Sequence, residues 1–340
     1  MKLKFILGFA LFIVVLGFSN FKKRTPRIPK YFPQPIYNYN ANPYSPDKML
    51  LGRVLFYDPI LSRNNKISCA SCHTSFSAFT HVDHALSHGI DDKIGTRNAP
   101  ALFNLGWQSL FMWDGAINHL DVQALAPLHN PIEMDEDISH VVSKLQSTTM
   151  YPALFYKAFG DSAITGEHTL KAISQFMLSL VSCQSRYDSV RQNLATFTEQ
   201  ENSGYQLYKQ HCSSCHTEPL FTNNTFMNNG LALDTLLKDI GRFRISKIPS
   251  DSLKFKVPSL RNIEYTYPYM HDGRFKYLKQ VIDHYTSGIV HSSTLATELS
   301  TPISLSANEK TDIIAFLLTL SDRKFIFNPQ HTFPKEILLK

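Results

Sequence analysis

Two short stretches, "SCASCHTSF" at residues 68–76 and "HCSSCHTEP" at residues 211–219, each place two cysteines and a histidine in one register: Cys69-x-x-Cys72-His73 and Cys212-x-x-Cys215-His216. They hold four of the chain's five cysteines. A disulfide inside Cys-x-x-Cys is strained and labile, and it leaves the histidine idle. A structural zinc site usually brings its two cysteine pairs together over a short stretch, whereas Cys69 and Cys212 are 143 residues apart and each pair has its own histidine. Covalent haem attachment uses all three residues: the thiols add across the two vinyl groups, and the histidine that follows is forced under the iron as proximal ligand. Two c-type haems are expected, with His73 and His216 on the irons.

A chain of 340 residues with 43% hydrophobic content can bury two modest cores. The formal charge of +6 does not point to nucleic acid, because Lys2, Lys4, Lys22, Lys23 and Arg24 supply most of it; from residue 25 onward 29 basic residues face 28 acidic ones. Those early charges frame "FILGFALFIVVLGF", an apolar run too short for a comfortable membrane span and of the size of a signal h-region. Residues 1–24 are expected to be a signal peptide or an N-terminal anchor, placing the protein in the periplasm or cell envelope.

Residues 25–46 read as an extended, proline-rich leader. After it, "SPDKMLLGRVLFYDPILS" and "TEQENSGYQLYKQHCSSCH" each predict a helix ahead of a haem motif, "EHTLKAISQFMLSLVS" predicts a helix closing the first half, and "SLSANEKTDIIAFLLTL" predicts one capped by Ser306 with Glu309 three residues on. Strand signals are sparse, so the expected class is all-α. "PALFN" at Pro100 answers "PSLRN" at Pro258, and "MWDG" at Met112 answers "MHDG" at Met270, both at an offset of 158. This points to two cytochrome c-like domains, over 47–195 and 196–340, facing a shared interface. The second carries a longer loop, "NNTFMNNGLALDTLLKDIGRFRISKIP".

Duplication permits a comparison. A haem for electron transfer wants its sixth position filled, whereas one that reacts with peroxide needs it open. Tyr285 can ligate iron, with Met270 as the rival, while the position 158 earlier is Pro127, which has no donor to offer. Glu133, six residues beyond Pro127, is a carboxyl group for the open site. Its plain alternative is the solvated start of a helix in "EMDEDIS".

Through "LGRVLFYDPILS", "SCASCH", "GTRNAPALFN", "FMWDG", "NPIEM", "CSSCH", "KVPSLRN" and "PYMHDGRF", from about Leu51 to Leu320, the sequence resembles the bacterial dihaem cytochrome c peroxidase family, which includes the methylamine-utilisation enzyme MauG. The resemblance implies reduction of hydrogen peroxide to water with electrons from a small donor protein, a cytochrome c or a cupredoxin, and leaves homodimer formation open. It implies Glu133 and Gln123 lining the peroxide pocket of the first haem with Glu133 as acid and base, Trp113 as the relay between haems, and a calcium ion held by Asn98 with the carbonyls of Thr266 and Pro268. The plain alternative for Trp113 is core packing. Two features depart from the peroxidases. Tyr285 stands where they have a methionine, as in the MauG branch, and Ile90 after Gly89 stands where many have a histidine that caps the resting iron. His81, His84 and His88 lie on the same loop and read as surface imidazoles, with ligation as the alternative. The rival functions are a MauG-like oxidase of a protein side chain and a non-catalytic dihaem electron carrier.

Overall fold

The structure, a computed structural model, describes residues 28–339; the expected signal or anchor lies outside the described residues. Helix α1 (Pro46–Tyr57) starts where the Ser45 side chain accepts from the Lys48 amide and stops at Asp58, just before Pro59. It crosses α2 (Gly166–Ser179) at Gly52, where a Cβ would sit 1.9 Å from the Ala172 carbonyl oxygen and 3.1 Å from the Phe176 Cβ. The second half repeats the device. Helix α3 (Glu199–His211), capped by Thr198 and Glu201, crosses α4 (Ala307–Leu318), capped by Ser306 and Glu309, and a Cβ on Gly204 would meet the Asp312 carbonyl oxygen at 1.9 Å and the Phe316 Cβ at 2.9 Å. Gly52 and Gly204 are thus equivalent positions, as are Ala172 and Asp312, and Phe176 and Phe316.

The asparagines of the two "P-x-L-x-N" motifs extend this equivalence. Asn104 N–H donates to Leu180 O and its Oδ1 accepts from the Ser182 amide; Asn262 N–H donates to Leu320 O and its Oδ1 accepts from the Asp322 amide. Each asparagine ties its motif to the end of its own half's closing helix. Two buried clusters result, one around Leu51, Leu55, Phe56 and Phe176, the other around Tyr187, Tyr208, Phe221 and Phe316.

The leader packs on the first half, and two further segments bind the halves together. The leader wraps the first half as turns: the Ile36 and Tyr37 amides donate to Gly106 O, Trp107 Nε1 donates to Pro33 O, and Gln175 donates to Asn42 O. The C-terminal stretch returns from the second half, burying Phe325 and Ile326 in the first cluster and offering Thr332 O to Arg53 and His331 O to Tyr57. The long loop of the second half reaches back too: Arg97 bonds Asp114 at 2.6 Å on one side and Asp239 of that loop at 2.6 and 3.0 Å on the other. The two strands among the described residues are a two-residue antiparallel pair, Phe226–Met227 in this loop with Phe255–Lys256 just after it; the other β pairing is in isolated bridges.

Both helix crossings leave no room for a methyl group. Gly52→Ala and Gly204→Ala are each expected to cost about 1–3 kcal/mol by forcing the helices apart, read as a lower denaturation midpoint in circular dichroism; an unchanged midpoint would contradict the close crossing.

Candidate haem sites and their shared interface

Cys69–Cys72 is a single helical turn, and His73 follows as its C-cap with its amide on Cys69 O at 3.0 Å. The imidazole Nδ1 lies 2.7 Å from Phe79 O, with Pro100 O as a further acceptor. In the second half Cys212 ends α3, the His216 amide bonds Cys212 O at 2.9 Å, and Nδ1 lies 3.2 Å from Phe221 O and 3.1 Å from Pro258 O. Carbonyls only accept, so each Nδ1 carries the proton and each Nε2 keeps its lone pair. Burial lowers both imidazoles to about 4, so both are neutral at ordinary pH. A neutral imidazole, oriented at Nδ1 by backbone oxygen with Nε2 free, is the form that binds a metal. The motif prolines at 100 and 258 thereby have a reason for their fixed offset: they furnish carbonyls to the two histidines.

The second site opens on a cavity of about 270 Å³ whose walls include Cys212, Cys215, His216, Met270 and Tyr285. Tyr285 sits in a wide helical turn, His284–Gly288. Burial pushes its phenol up to about 12, and the Asn229 amide pulls the other way. Asn229 Nδ2 also meets Met270 Sδ at 3.5 Å, so one amide serves both candidate distal donors. A phenol this reluctant to ionise needs a bound cation to become an anion, and a metal supplies one. The thiols, the free Nε2, the cavity and the facing phenol fit a covalently held haem.

The first site differs. The turn equivalent to that of Tyr285 is Leu125–His129, and Pro127 lies within it. Glu133 stands near the motif cysteines, close enough to help raise both thiols. Its Oε1 accepts from Asn130 Nδ2 at 2.6 Å, and burial raises the carboxyl above its ordinary range, partly offset by that bond. Gly89 makes this packing feasible: a Cβ there would lie 2.0 Å from Ile132 O and 2.6 Å from Glu133 Cα. The next residue, Ile90, is fully buried and donates its amide to Glu133 O at 2.7 Å. Gln123 does not join Glu133; its Nε2 faces Met112 Sδ at 3.6 Å, as Asn229 faces Met270 in the other half.

The histidine loop is less exposed than its composition suggests. His81 is buried, and the rings run His81, His84, His88 with centroids 5.4 and 4.3 Å apart. The loop is wedged against the second half, since a Cβ on Gly273 would meet Ala85 O at 2.3 Å. The reading of all three as surface imidazoles is corrected for His81; the packing of its loop against the second half, not visible locally, accompanies its burial.

Between the sites, Trp113 Nε1 donates to Asn98 O at 2.9 Å and Trp113 O accepts from the Lys256 amide at 2.8 Å. Trp113, Asn98, Thr266 and Pro268 all border the cavity. Asn98 presents its NH₂ to Pro268 O at 2.6 Å. His271 stacks on Phe255 and accepts the Asn98 amide at its carbonyl, so it braces the interface.

Residues 46–196 match the family model described as di-haem cytochrome c peroxidase. The chain is 34% identical to the methylamine utilization protein MauG of Methylorubrum extorquens over 301 residues, covering 86% of this chain and 82% of that protein. The chain belongs to the di-haem cytochrome c peroxidase family. Its relatives span both named activities: the cytochrome c551 peroxidase of Nitrosomonas europaea is 32% identical over 286 residues, covering 83% of this chain and 82% of that one. A solved structure of a MauG-like protein associated with microbial copper homeostasis superposes with a TM-score of 0.81 at 35% identity, covering 90% of this chain and 98% of that one.

Within this di-haem family frame, sequence reasoning missed Asn229 and the paired carbonyls of Phe79 and Phe221. Asn229 lies in the second half's longer loop, across which the offset between the halves changes from 143 to 158, so the duplication could not point to it. The paired phenylalanines follow their histidines by six and five residues, a spacing that could have flagged them. Removing both thiols of one motif, as in Cys212→Ala with Cys215→Ala, is expected to leave one covalent haem per chain in the intact-mass spectrum. Retention of two would contradict the assignment.

Proposed function

We propose that the protein reduces hydrogen peroxide to two waters, consuming two protons and two electrons from a small redox donor protein. What carries this reading is the inequality of the two sites: a half-buried carboxyl with a raised pKa beside the first, where the equivalent of Tyr285 is a proline, and a phenol facing the second. Bound haems would supply the redox-active irons through which the donor's electrons pass. Glu133 takes a proton from one peroxide oxygen and delivers it to the departing one, and burial suits it to both roles by moving its pKa towards neutrality. Asn130 fixes the carboxyl's orientation. Gln123 bounds the peroxide pocket. Trp113, hydrogen-bonded to both halves, sits where an indole shortens the electron's path.

Tyr285 would be the protein donor to the second haem's iron in this reading, with Met270 hydrogen-bonded by Asn229. Asn98, Thr266 and Pro268 would hold the calcium ion with the Asn98 amide turned over to present Oδ1, giving oxygen donors from both halves. Its role there is to fix the interface. The apolar N-terminal run exports the chain to the periplasm or cell envelope. Tyr285 also favours a second reading, oxidation of a protein side chain by the same centre, because an anionic oxygen ligand stabilises the oxidised second haem.

Glu133→Gln is expected to keep both haems and lose about 10²-fold or more in peroxide turnover, the range of general acid–base catalysis. Unchanged turnover would remove Glu133 from the mechanism. The native kcat/KM should fall as pH drops through the raised Glu133 pKa, because the base form is lost, and this acid limb should vanish in the variant. A limb that survives would assign it to another group.

A further inference from the structure

One aromatic pair at the second site has no counterpart at the first. Taking Gly52 and Gly204 as equivalent, Phe56 corresponds to Tyr208 and Arg53 to Tyr205. The packing agrees: Phe56 lies 5.1 Å from Phe176 and 5.8 Å from Phe79, and Tyr208 lies 5.0 Å from Phe316 and 5.4 Å from Phe221. A phenyl ring therefore fills this place in the first half, whereas the second half has a phenol.

Tyr208 is fully buried, borders the haem cavity, and donates its hydroxyl to the carbonyl of His216, the proximal ligand. Its ring is stacked on Tyr205, centroids 6.2 Å apart and planes within 12°. Tyr205 is half-buried and donates its hydroxyl to Glu218 Oε2 at 3.3 Å. The other carboxylate oxygen, Oε1, is buried with no hydrogen-bond partner. A buried orphan acceptor calls for an explanation. Packing alone does not need the two phenol oxygens or this carboxylate.

We propose that Tyr208 and Tyr205 form an oxidising outlet from the second haem to the protein surface, with Glu218 as the proton acceptor. The proposal rests on the peroxide reading above. In the step, one electron leaves Tyr205 through Tyr208 and cancels one of the two oxidising equivalents that peroxide delivers. The phenolic proton moves to Glu218 Oε2. The products are a neutral tyrosyl radical and a neutral carboxylic acid, so charge and protons balance. Lys209 Nζ lies 4.8 Å above the Tyr205 ring and opposes a radical cation there. Passing the proton to Glu218 Oε2, 3.3 Å from the hydroxyl, relieves that opposition. When the electron donor is scarce, the outlet moves oxidising power away from the haem to a residue that a reductant can reach.

The test uses the full-length, haem-loaded protein mixed with peroxide in the absence of donor and frozen for electron paramagnetic resonance. A tyrosyl signal is expected in the native protein, lost in Tyr205→Phe and diminished in Glu218→Gln, while donor-driven peroxide turnover in Tyr205→Phe is unchanged. The same radical yield in Tyr205→Phe would overturn the proposal, as would haem oxidation by peroxide without any tyrosyl signal in the native protein. If peroxide leaves the haem spectrum unaltered, it is the peroxidase reading that fails. Oxidation of the same samples by flash-quenched ruthenium tris(bipyridine) then reads the pair directly: a tyrosyl signal confined to proteins with Tyr205 supports the outlet, and one indifferent to Tyr205 overturns it.

Discussion

Each motif histidine is held at Nδ1 by backbone carbonyl oxygen, and the chemistry expected of the chain depends on that contact. The bond fixes the tautomer, turns Nε2 towards the metal side, and binds the haem motif to a loop on one side and a proline motif on the other. The carbonyls cannot reach the rings unless Phe79 and Phe221 are packed against their helix crossings, and those crossings exist because Gly52 and Gly204 carry no side chain. Placement of each motif histidine thus traces back to a glycine in its own half.

On this common frame the halves diverge where chemistry requires it. Pro127 stands against Tyr285, Gln123 against Asn229 as the amide on a motif methionine, and Phe56 against Tyr208. The first half gains a half-buried carboxyl behind Gly89. The second gains a long loop that provides Asn229 to its distal side and Asp239 to the interface. One insertion therefore shapes the second site and also clamps the halves through Arg97.

Much of this was legible in the sequence, for physical reasons. Cysteine spacing reports covalent chemistry directly, capping residues such as Ser306 and Glu309 are local signals, and a constant offset of 158 reveals duplication. Less was legible where distant segments meet. Nothing local in "NLGW" shows that Gly106 O accepts two leader amides, or that Phe325, beyond the last cytochrome-like helix, belongs to the first half's core. His81 looked exposed because its loop is polar, and it is buried where another domain packs against that loop. Glu133 was picked out by its register, but the reason for its raised pKa, burial behind Gly89, is tertiary.

The central claim is that the two irons are unequal, one with a vacant coordination position and one closed by a protein oxygen. Electron paramagnetic resonance of the fully oxidised, haem-loaded protein tests it most directly. The account predicts one high-spin ferric signal that peroxide abolishes, together with one low-spin signal that shifts when Tyr285 is replaced by methionine. Two low-spin signals of the same kind, both indifferent to peroxide and to that replacement, would contradict it.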